Sequence, residues 1–468
     1  MKKIIIGLFI ILSSSLLTIC KAQYTVLHQF IPTTGTGPYG SLILSGSTLY
    51  GMAETGGKNF AGVIFSIQTN GSGYTDLFDF NLTNGSHPIA SLILSGNTLY
   101  GMTEMGGANG DGVIFSIQTN GSGYTDLFDF NGINGANPFG SLLLSGSTLY
   151  GMTYGGGAYS KGVIFSIQTN GSGYTDLLDF NNANGSEPNG SLIISGTTLY
   201  GMTTYGGINS DGVIFSIQTN GSGFIDLFNF DNANGDFAYG SLILSGSTLY
   251  GMTNQGGTYS DGTIFSIQTD GSGYTSLFDF NGTNGEDPYN SLILSGSMLY
   301  GMTEMGGANS RGVIFSIQTN GSVYTDLCDF KGINGAEPFG SLIISGSVLY
   351  GMTRSDTCLK CSIGVIFKDS ISNANDQSIN ELTQGTGIVQ LYPNPNNGQF
   401  TLEVKSEELR TKNTVEVYNM LGEKIYTTKL NATATELDLS NNASGIYLYR
   451  VLSETGTLVS DGKFIIQK

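Results

Sequence analysis

The 468-residue sequence contains no tryptophan, two histidines, four cysteines and nine prolines. Both histidines, His28 and His87, lie in segments whose pattern indicates a structural role, so neither a Ser-His-Asp triad nor a multi-histidine metal centre is expected. After the first 22 residues, no segment approaches the roughly 18 to 20 uninterrupted apolar residues of a membrane-spanning helix. These absences argue against two common kinds of catalytic centre and against a transmembrane segment in the mature protein.

Basic residues are scarce as well. Residues 23–367 contain 6 Lys and Arg against 24 Asp and Glu, a net charge of −18. A field of that sign repels phosphate backbones and anionic lipid surfaces. We therefore expect neither nucleic-acid binding nor direct adsorption to membranes. Cations, neutral glycans and basic proteins remain open as partners.

The first 22 residues differ from the rest of the chain. Lys2 and Lys3 precede an apolar run over residues 4–17, and Cys20-Lys21-Ala22 follows it. This pattern predicts a secretory signal peptide over residues 1–22, cleaved after Ala22. Acylation of Cys20 as a lipoprotein is the alternative, although Thr18 and Ile19 fit a lipobox poorly. We therefore expect the mature protein to leave the cytoplasm.

The chain is instead rich in glycine, with 70 residues, and in aromatics, at 11%. "SLILSGSTLYGM" occupies residues 41–52 and returns almost unchanged every 50 residues, seven times in all. Each unit contains four strand-like segments, residues 41–44, 48–52, 62–69 and 74–80 in the first copy, separated by Gly, Asn and Ser turns. A period of about 40 to 50 residues with four strands is typical of a β-propeller blade.

The two ends of the repeat region complement each other. Residues 24–30 align with the fourth strand of a unit, whereas the seventh unit begins at Ser341 and has only the first three strands. An open solenoid would gain nothing from this division, but a ring would, because the N-terminal strand could complete the last sheet. The sequence thus predicts an all-β protein with a seven-bladed β-propeller over residues 23–368, closed by its N-terminal strand.

Two segments of each unit, "SLxxSGxxLYGMT" and "GVIFSIQTNG", resemble the GloVer-type tandem repeat of secreted bacterial proteins. The resemblance covers all seven units. It implies an exported repeat protein and little about its activity.

Differences between the seven copies are concentrated in the loops between the second and third strands and in the links between units. In a meander these segments share one face, while the nearly invariant turns share the other. We expect ligand binding on the variable face, since loops can diversify without disturbing the packing below them. The candidate residues are the first of each variable loop: Glu54, Glu104, Tyr154, Thr204, Asn254, Glu304 and Arg354.

Two kinds of chemistry remain open at this face. Glu54, Glu104 and Glu304 could act as paired carboxylates of a glycosidase, or they could be scattered acids that keep the protein soluble. The run at residues 79–85 places oxygen ligands near a glycine turn, but its spacing departs from that of a calcium loop. An Asx-type turn is the other explanation. We expect no cofactor and no metal site, with calcium binding as the alternative.

Cysteines occur at three positions after the signal peptide. Cys358 and Cys361 lie together in the seventh unit's loop and, in an exported protein, are predicted to form a local disulfide. Cys328 replaces the phenylalanine of other units and is predicted to be a small buried apolar residue.

The repeat pattern stops at Lys368. Residues 369–387 have the composition of a linker, and residues 388–468 contain alternating strands that predict a small Ig-like β-sandwich. This segment resembles the C-terminal sorting domain of the type IX secretion system of Bacteroidota. The resemblance rests on Tyr392, Pro393, Asn394 and Pro395, on Gly422 of "LGE", on Gly445 of "SGIY" and on the terminal "KFII". It implies export to the cell surface or beyond, with the type IX machinery as a partner.

These observations predict an exported, non-enzymatic, monomeric propeller that binds a glycan, a polymer or a surface protein through its variable loop face. One alternative is an exported polysaccharide-degrading enzyme that uses rim carboxylates. The other is a passive surface scaffold.

Overall fold

A computed structural model describes residues 24–356, 363–371, 389–392, 396–404, 413–419, 424–430, 434–443, 445–453 and 458–466. The chain divides into two compact units between Ser370 and Ile371. We call these the first and second units, and we call each copy of the 50-residue pattern a repeat. The predicted signal peptide and most of the predicted linker lie outside the described residues. So do Cys358, Cys361, Pro393, Asn394, Pro395 and Gly422.

Every regular element that the structure describes is a β-strand, as the composition predicts. In the first unit these strands are β1 (Thr25–Gln29), β2 (Ile43–Ser45), β3 (Thr48–Ala53), β4 (Val63–Gln68), β5 (Thr75–Asp79), β6 (Ile93–Ser95), β7 (Thr98–Thr103), β8 (Val113–Gln118), β9 (Thr125–Asp129), β10 (Leu143–Ser145), β11 (Thr148–Met152), β12 (Val163–Gln168), β13 (Thr175–Asp179), β14 (Ile193–Ser195), β15 (Thr198–Met202), β16 (Val213–Gln218), β17 (Ile225–Asn229), β18 (Ile243–Ser245), β19 (Thr248–Thr253), β20 (Thr263–Gln268), β21 (Thr275–Asp279), β22 (Ile293–Ser295), β23 (Met298–Met302), β24 (Val313–Gln318), β25 (Thr325–Asp329), β26 (Ile343–Ser345), β27 (Val348–Thr353) and β28 (Val365–Ser370).

These strands form seven antiparallel four-stranded sheets. Six of them are meanders of consecutive strands, from β2-β3-β4-β5 to β22-β23-β24-β25. The remaining sheet has the order β1-β28-β27-β26, so the first described strand is the outer strand beside the last three. Thr25 pairs with Lys368 and Gln29 with Val365, and the Phe30 N–H donates to the Gly364 carbonyl at 3.0 Å.

The core lies between neighbouring sheets, because the second and third strands of each repeat are buried on both faces, as in β3 and β4. Tyr50, Met52 and Phe80 of one sheet pack on Leu99 and Phe115 of the next. The same contacts join the sheet containing β1 to the sheet of β2 to β5, through Tyr350, Met352 and Phe30 on one side and Leu49 and Phe65 on the other.

A glycine in the second strand of each repeat allows this close packing. A Cβ atom on Gly51 would lie 2.5 Å from Phe65 Cζ and 3.1 Å from Leu42 Cδ2, so the phenylalanine ring fills the space a side chain would take. The corresponding glycine of every repeat meets its own phenylalanine in the same way, at Gly101, Gly151, Gly201, Gly251, Gly301 and Gly351.

A series of serine hydrogen bonds links neighbouring repeats just before the first strand of each sheet. The Ser41 N–H donates to Ser91 Oγ at 2.7 Å, and each following serine repeats the bond to the next at 2.7 to 2.9 Å. The last bond runs from the Ser341 N–H to Ser41 Oγ at 2.8 Å. The seven serines therefore form a hydrogen-bonded cycle in which the last repeat contacts the first.

The second unit contains β29 (Val389–Tyr392), β30 (Gln399–Val404), β31 (Thr414–Tyr418), β32 (Lys424–Lys429), β33 (Ala434–Asp438), β34 (Gly445–Leu452) and β35 (Leu458–Ile466). They form two sheets, β29-β30-β33 and β32-β31-β34-β35. Phe400 and Leu437 of the first sheet share a core with Val415, Tyr447 and Phe464 of the second. Two sheets around one core are the packing of a β-sandwich. No helix among the described residues has the length and hydrophobicity to cross a membrane.

Candidate binding site at the loop face

The nearly invariant turns lie together, as predicted. In the first repeat the Thr69 N–H donates to the Ser47 carbonyl at 2.9 Å, and the Ser47 hydroxyl donates to Gln68 Oε1 at 3.0 Å. The turn between the first two strands therefore contacts the turn between the last two. Equivalent main-chain bonds recur in the following repeats, for example from Thr119 to Asn97.

The variable segments lie together as well. The Glu54 N–H donates to the Gly37 carbonyl at 3.2 Å, and Thr36 and Thr55 exchange main-chain bonds of 2.8 and 3.1 Å. Each loop between a second and third strand is thus bonded to the link that precedes its repeat. We call the surface formed by these loops and links the loop face.

In the first six repeats, an outer-strand Asp or Asn side chain fixes the variable loop to its own sheet. Asp79 Oδ1 accepts from the Lys58 N–H at 2.6 Å, and Asp129 does the same for Ala108 at 2.5 Å. In the fourth repeat the side-chain oxygen of Asn229 takes this role for the Ile208 N–H. The loops are therefore anchored to the rigid sheets that present them.

The seven residues predicted for ligand binding all lie where a second strand meets the loop face. Thr204 and Asn254 are buried, whereas the other five are partly exposed. Burial raises the pKa of Glu104; the charge of Glu54 raises it further, and His87 opposes the shift. The predicted residues therefore influence one another across neighbouring repeats, but two of them offer little surface to a ligand.

The loop face also contains a central cavity of about 120 Å³. Three consecutive positions from each of the seven repeats line it, beginning with Tyr39, Gly40 and Ser41. The first of these positions differs between repeats and was not among the predicted site residues. Its occupants are Tyr39, Ile89, Phe139, Asn189, Tyr239, Tyr289 and Phe339.

Four of these residues form a continuous aromatic cluster, which we call the aromatic arc: Tyr39, Tyr239, Tyr289 and Phe339. Ring centroids lie 4.4 Å apart for Tyr239 and Tyr289, 4.8 Å for Tyr289 and Phe339, and 4.5 Å for Tyr39 and Phe339. Burial raises the pKa of Tyr39, and its phenol shares a hydrogen bond with that of Tyr289. The arc therefore joins four repeats, since each of its residues belongs to a different link.

A cation already lies against this arc. The Arg354 guanidinium carbon is 5.2 Å from the Phe339 ring centroid and 5.8 Å from that of Tyr39, within the range of a cation–π contact. On another side of the loop face, the Tyr154 hydroxyl donates to Glu187 Oε2 at 2.9 Å. Lys161 pairs with the other oxygen of Glu187 at 2.9 Å. Aromatic and charged side chains are therefore combined on this surface.

Several carboxyl groups of the loop face hold protons more tightly than usual. Burial, followed by the charges of Asp287 and Glu337, raises the pKa of Glu304 to about 7, although Arg354 opposes the shift. Burial and neighbouring acids raise the pKa of Asp287 to about 6, and burial with the charge of Asp211 does the same for Asp236. Near neutral pH this surface can therefore both donate and accept hydrogen bonds.

This protonation predicts a pH dependence of stability. The pKa of Glu304 is raised from 4.5 to about 7 on folding, so its stabilising contribution is complete below the lower value and is lost as pH rises through the upper one. We expect the melting temperature of the wild type to fall between pH 5 and pH 8, and to fall less in Glu304→Gln. Thermal unfolding followed by circular dichroism measures both differences.

Glu403→Gln, in the second unit, is the control and should keep the wild-type fall. Some slope should remain in Glu304→Gln, because burial and the charge of Asp329 also raise the pKa of Asp326 to about 7. Equal falls in the wild type and Glu304→Gln would contradict the assignment.

The oxygen-rich run at residues 79–85, which was a candidate for calcium binding, forms an Asx-type turn. Asn81 Oδ1 accepts from the Thr83 hydroxyl at 2.8 Å and from the Asn84 N–H at 3.1 Å, which is the Asx-turn arrangement. Within the described part of the chain, no three His, Cys, Asp or Glu side chains are grouped as metal ligands.

Cys328 is fully buried, as predicted. It is also disulfide-bonded, which the sequence did not indicate. The other cysteines, Cys20, Cys358 and Cys361, lie outside the described residues, and the predicted local bond between Cys358 and Cys361 therefore stays a prediction.

Among the sorting-motif residues, Tyr392 ends β29 and is 44% exposed, and Gly445 begins β34. The Tyr447 hydroxyl, two residues further along, donates to the Ala443 carbonyl at 2.8 Å. The described part of the motif thus lies at strand ends, where it shapes the sandwich.

Comparison with known structures finds likeness at low identity. The extracellular domain of a hybrid two-component system from B. thetaiotaomicron matches with a TM-score of 0.51 and 12% identity, covering 82% of this chain and 46% of that chain. A second structure of that extracellular domain matches with a TM-score of 0.51 and 11% identity, covering 94% and 54%. PorZ, a surface component of the type IX secretion system of Porphyromonas gingivalis, matches with a TM-score of 0.45 and 14% identity, covering 91% and 59%.

The chain thus spans about half the length of these structures, and the likeness concerns the fold alone. No curated protein matches the sequence.

Family models match nearly the whole chain. The secretion system C-terminal sorting domain matches residues 390–467, which directs the protein to secretion or the cell surface through the type IX machinery. The Gloeobacter/Verrucomicrobia repeat matches residues 15–170, 140–273 and 243–396. The chain therefore belongs to the Gloeobacter/Verrucomicrobia repeat family and carries a type IX C-terminal sorting domain.

Proposed function

We propose that the seven sheets close into a seven-bladed β-propeller and that this exported protein binds a glycan, a polymer or a surface protein through its loop face. The serine cycle from Ser41 to Ser341 supports closure, as does the packing of Phe30 and Tyr350 against Leu49 and Phe65. A closed ring would hold the loops of all seven repeats around one centre, and a ligand there would contact several repeats together.

The observation that carries the binding proposal is the aromatic arc beside the central cavity. Most buried positions keep the same residue in every repeat, as in the fully buried series from Phe65 to Phe315. At the positions of Tyr39 and Glu54 the copies differ in size, charge and polarity. Diversity of this kind on one face supports a single composite site rather than seven equal ones.

The chemistry of the arc favours a glycan among the three ligand classes. Tyrosine combines a large apolar ring with a polar hydroxyl, which suits a sugar ring with an apolar face and hydroxyl edges. Glu304 and Glu187 offer carboxyl groups for those hydroxyls. The net charge of −18 disfavours anionic polymers. Because the cavity of about 120 Å³ is well below the roughly 300 to 1,000 Å³ of an ordinary ligand pocket, most contact would lie on the open surface.

Removal of two rings of the arc tests the proposal. The variant Tyr239→Ala with Tyr289→Ala should bind immobilised polysaccharides and glycan arrays at least about tenfold more weakly than the wild type, because both stacked rings are lost. The matched control is Tyr159→Ala with Tyr259→Ala, which removes two tyrosines that are 61% and 58% exposed at loop tips. Undiminished binding by the arc variant would refute the proposal.

One observation favours the enzymatic alternative, namely the pKa of Glu304, which burial raises to about 7. A carboxylic acid that stays protonated near neutrality is suited to general acid catalysis, and Asp287 is close enough for its charge to contribute to the shift. If the protein degrades a polysaccharide in this way, Glu304→Gln should abolish turnover while leaving binding intact. Measurement of reducing ends released from the bound polysaccharide decides the matter.

A further inference from the structure

The aromatic arc continues beyond its four rings. The Phe237 ring centroid lies 6.4 Å from that of Tyr239 in the arc, and the Tyr205 ring centroid lies 5.1 Å from that of Phe237. Burial raises the pKa of Tyr239, and the charges of Tyr205 and Tyr289 raise it further, so these three phenols lie close together. Tyr205, Phe237 and the arc therefore form one series of six rings, which we call the aromatic row.

The aromatic row crosses several repeats. Tyr205 belongs to the variable loop of the fourth repeat, Phe237 and Tyr239 belong to the link that follows, and the other three rings belong to the links before the sixth, seventh and first repeats. Neighbouring ring centroids lie 4.4 to 6.4 Å apart. Phe339 is buried, and the other five residues are partly exposed. The row is therefore longer than one sugar ring and is accessible along most of its length.

The fold does not require aromatic side chains at the two added positions. The backbone at Phe237 has a φ of 54°, a left-handed conformation that glycine adopts at lower cost, and the first repeat has Gly37 there with a φ of 61°. The position of Tyr205 is Gly155 in the third repeat and Ser355 in the seventh. Folding therefore does not explain two partly exposed aromatic rings at these positions, whereas contact with a ligand does.

The surroundings of the aromatic row restrict the ligand. Asp236 precedes Phe237 in the chain. Burial raises the pKa of Tyr39 and Tyr289, and the nearby charge of Glu304 raises it further. These carboxyl groups and the net charge of −18 disfavour acidic sugars. Each aromatic ring suits the apolar face of one sugar, so a row of this length suits several neutral sugars in sequence.

We propose that Phe237 and Tyr205 form a second subsite of the loop face, which binds the further units of a linear neutral oligosaccharide whose first units contact Tyr239 and Tyr289. This inference rests on the proposed glycan-binding function and names the substrate class, a chain of several sugars rather than a single terminal sugar. Each added unit gains contact with the row, so affinity increases with chain length.

The experiment measures chain-length dependence by isothermal titration calorimetry with linear oligosaccharides of glucose, mannose, xylose and galactose, each series running from the dimer to the hexamer. In at least one series the wild type should bind the hexamer at least about tenfold more tightly than the dimer, because additional rings are stacked. In the variant Phe237→Gly with Tyr205→Ala this gain should disappear, while the affinity for the dimer stays unchanged.

The matched control is Phe60→Gly with Tyr259→Ala. Phe60 has a φ of 58° and is 71% exposed at a loop tip, where the second repeat has Gly110, and Tyr259 is 58% exposed. This variant loses the same two side chains away from the row and should keep the wild-type length dependence. Affinity independent of length in the wild type, an unchanged length dependence in the subsite variant, or an equal loss in the control would each overturn the inference.

The arc variant, Tyr239→Ala with Tyr289→Ala, separates this inference from the proposed function. If the arc variant loses binding at every length while Phe237→Gly with Tyr205→Ala behaves as the wild type, the loop face binds glycans and only the second subsite fails. If the arc variant binds every length as tightly as the wild type, or if the wild type binds none of the series, the glycan-binding proposal fails and the inference fails with it.

Discussion

Replacement of Phe30 by alanine should destabilise the repeat region as much as replacement of Phe80, by about 3 to 5 kcal/mol. Phe30 is fully buried, and its ring lies 5.3 Å from that of Phe65 and at right angles to His28. Phe80 has the same surroundings one repeat later, with Phe115 at 5.4 Å. Differential scanning calorimetry of the mature chain should show equal losses of unfolding free energy in the Phe30 and Phe80 variants if β1 contributes to its sheet as fully as β5 does.

Deletion of residues 24–30 extends this test. It removes the main-chain pairing from Thr25 to Gln29 along β28 and exposes the outer edge of that strand, so we expect a large fall in melting temperature and aggregation through the open edge. Val323→Ala, at an exposed turn of the opposite face, is the control and should leave the transition unchanged. An unaltered transition after deletion, or solution scattering from an elongated rod, would contradict closure.

Loss of the Cys328 disulfide should also have a large effect. Cys328 is buried and oxidised. Because Cys20 precedes the predicted cleavage site, we expect the partner of Cys328 in the mature protein to be Cys358 or Cys361. A bond that closes a loop of about 30 residues stabilises a protein by roughly 3 to 4 kcal/mol in the chain-entropy model. Non-reducing peptide mapping identifies the partner, and reduction by dithiothreitol should lower the melting temperature.

The variant Cys328→Phe separates the bond from its packing, since Phe78 and Phe128 occupy this position in other repeats. Its melting temperature should no longer respond to the reductant. A peptide map that joins Cys358 to Cys361 would support the local pairing predicted from sequence. It would contradict the expected pairing of Cys328 with either of these residues. A bond from Cys328 to either of them would show the local pairing to be wrong.

The sequence predicts the strands of each repeat well because their turns are encoded locally. The predicted segment 62–69 becomes β4 (Val63–Gln68), and 74–80 becomes β5 (Thr75–Asp79). The first strand is shorter than predicted, Ile43–Ser45 instead of residues 41–44. The reason is that the Ser41 N–H donates to Ser91 of the next repeat instead of to a strand in its own sheet. Contacts between repeats cannot be derived from the pattern within one repeat.

The candidate site was predicted only in part for a related reason. Variation between copies identifies the loop face, where Glu304 and Arg354 lie near the arc. The links vary at several positions, however, and only the three-dimensional arrangement reveals that Tyr39 and its equivalents face the central cavity.

The position of β1 has a consequence for biosynthesis. β1 precedes its partner β28 by about 340 residues. Six near-copies of β28 are therefore synthesised before β28 itself. β1 differs from the other outer strands at Val26, His28 and Gln29, and Gln29 Nε2 donates to Asp356 Oδ2 of the last repeat at 2.8 Å. We therefore expect the bond from Gln29 to Asp356 to favour the last repeat over the six earlier copies as the partner of β1, and β1 cannot pair in this way until the whole repeat region has been synthesised.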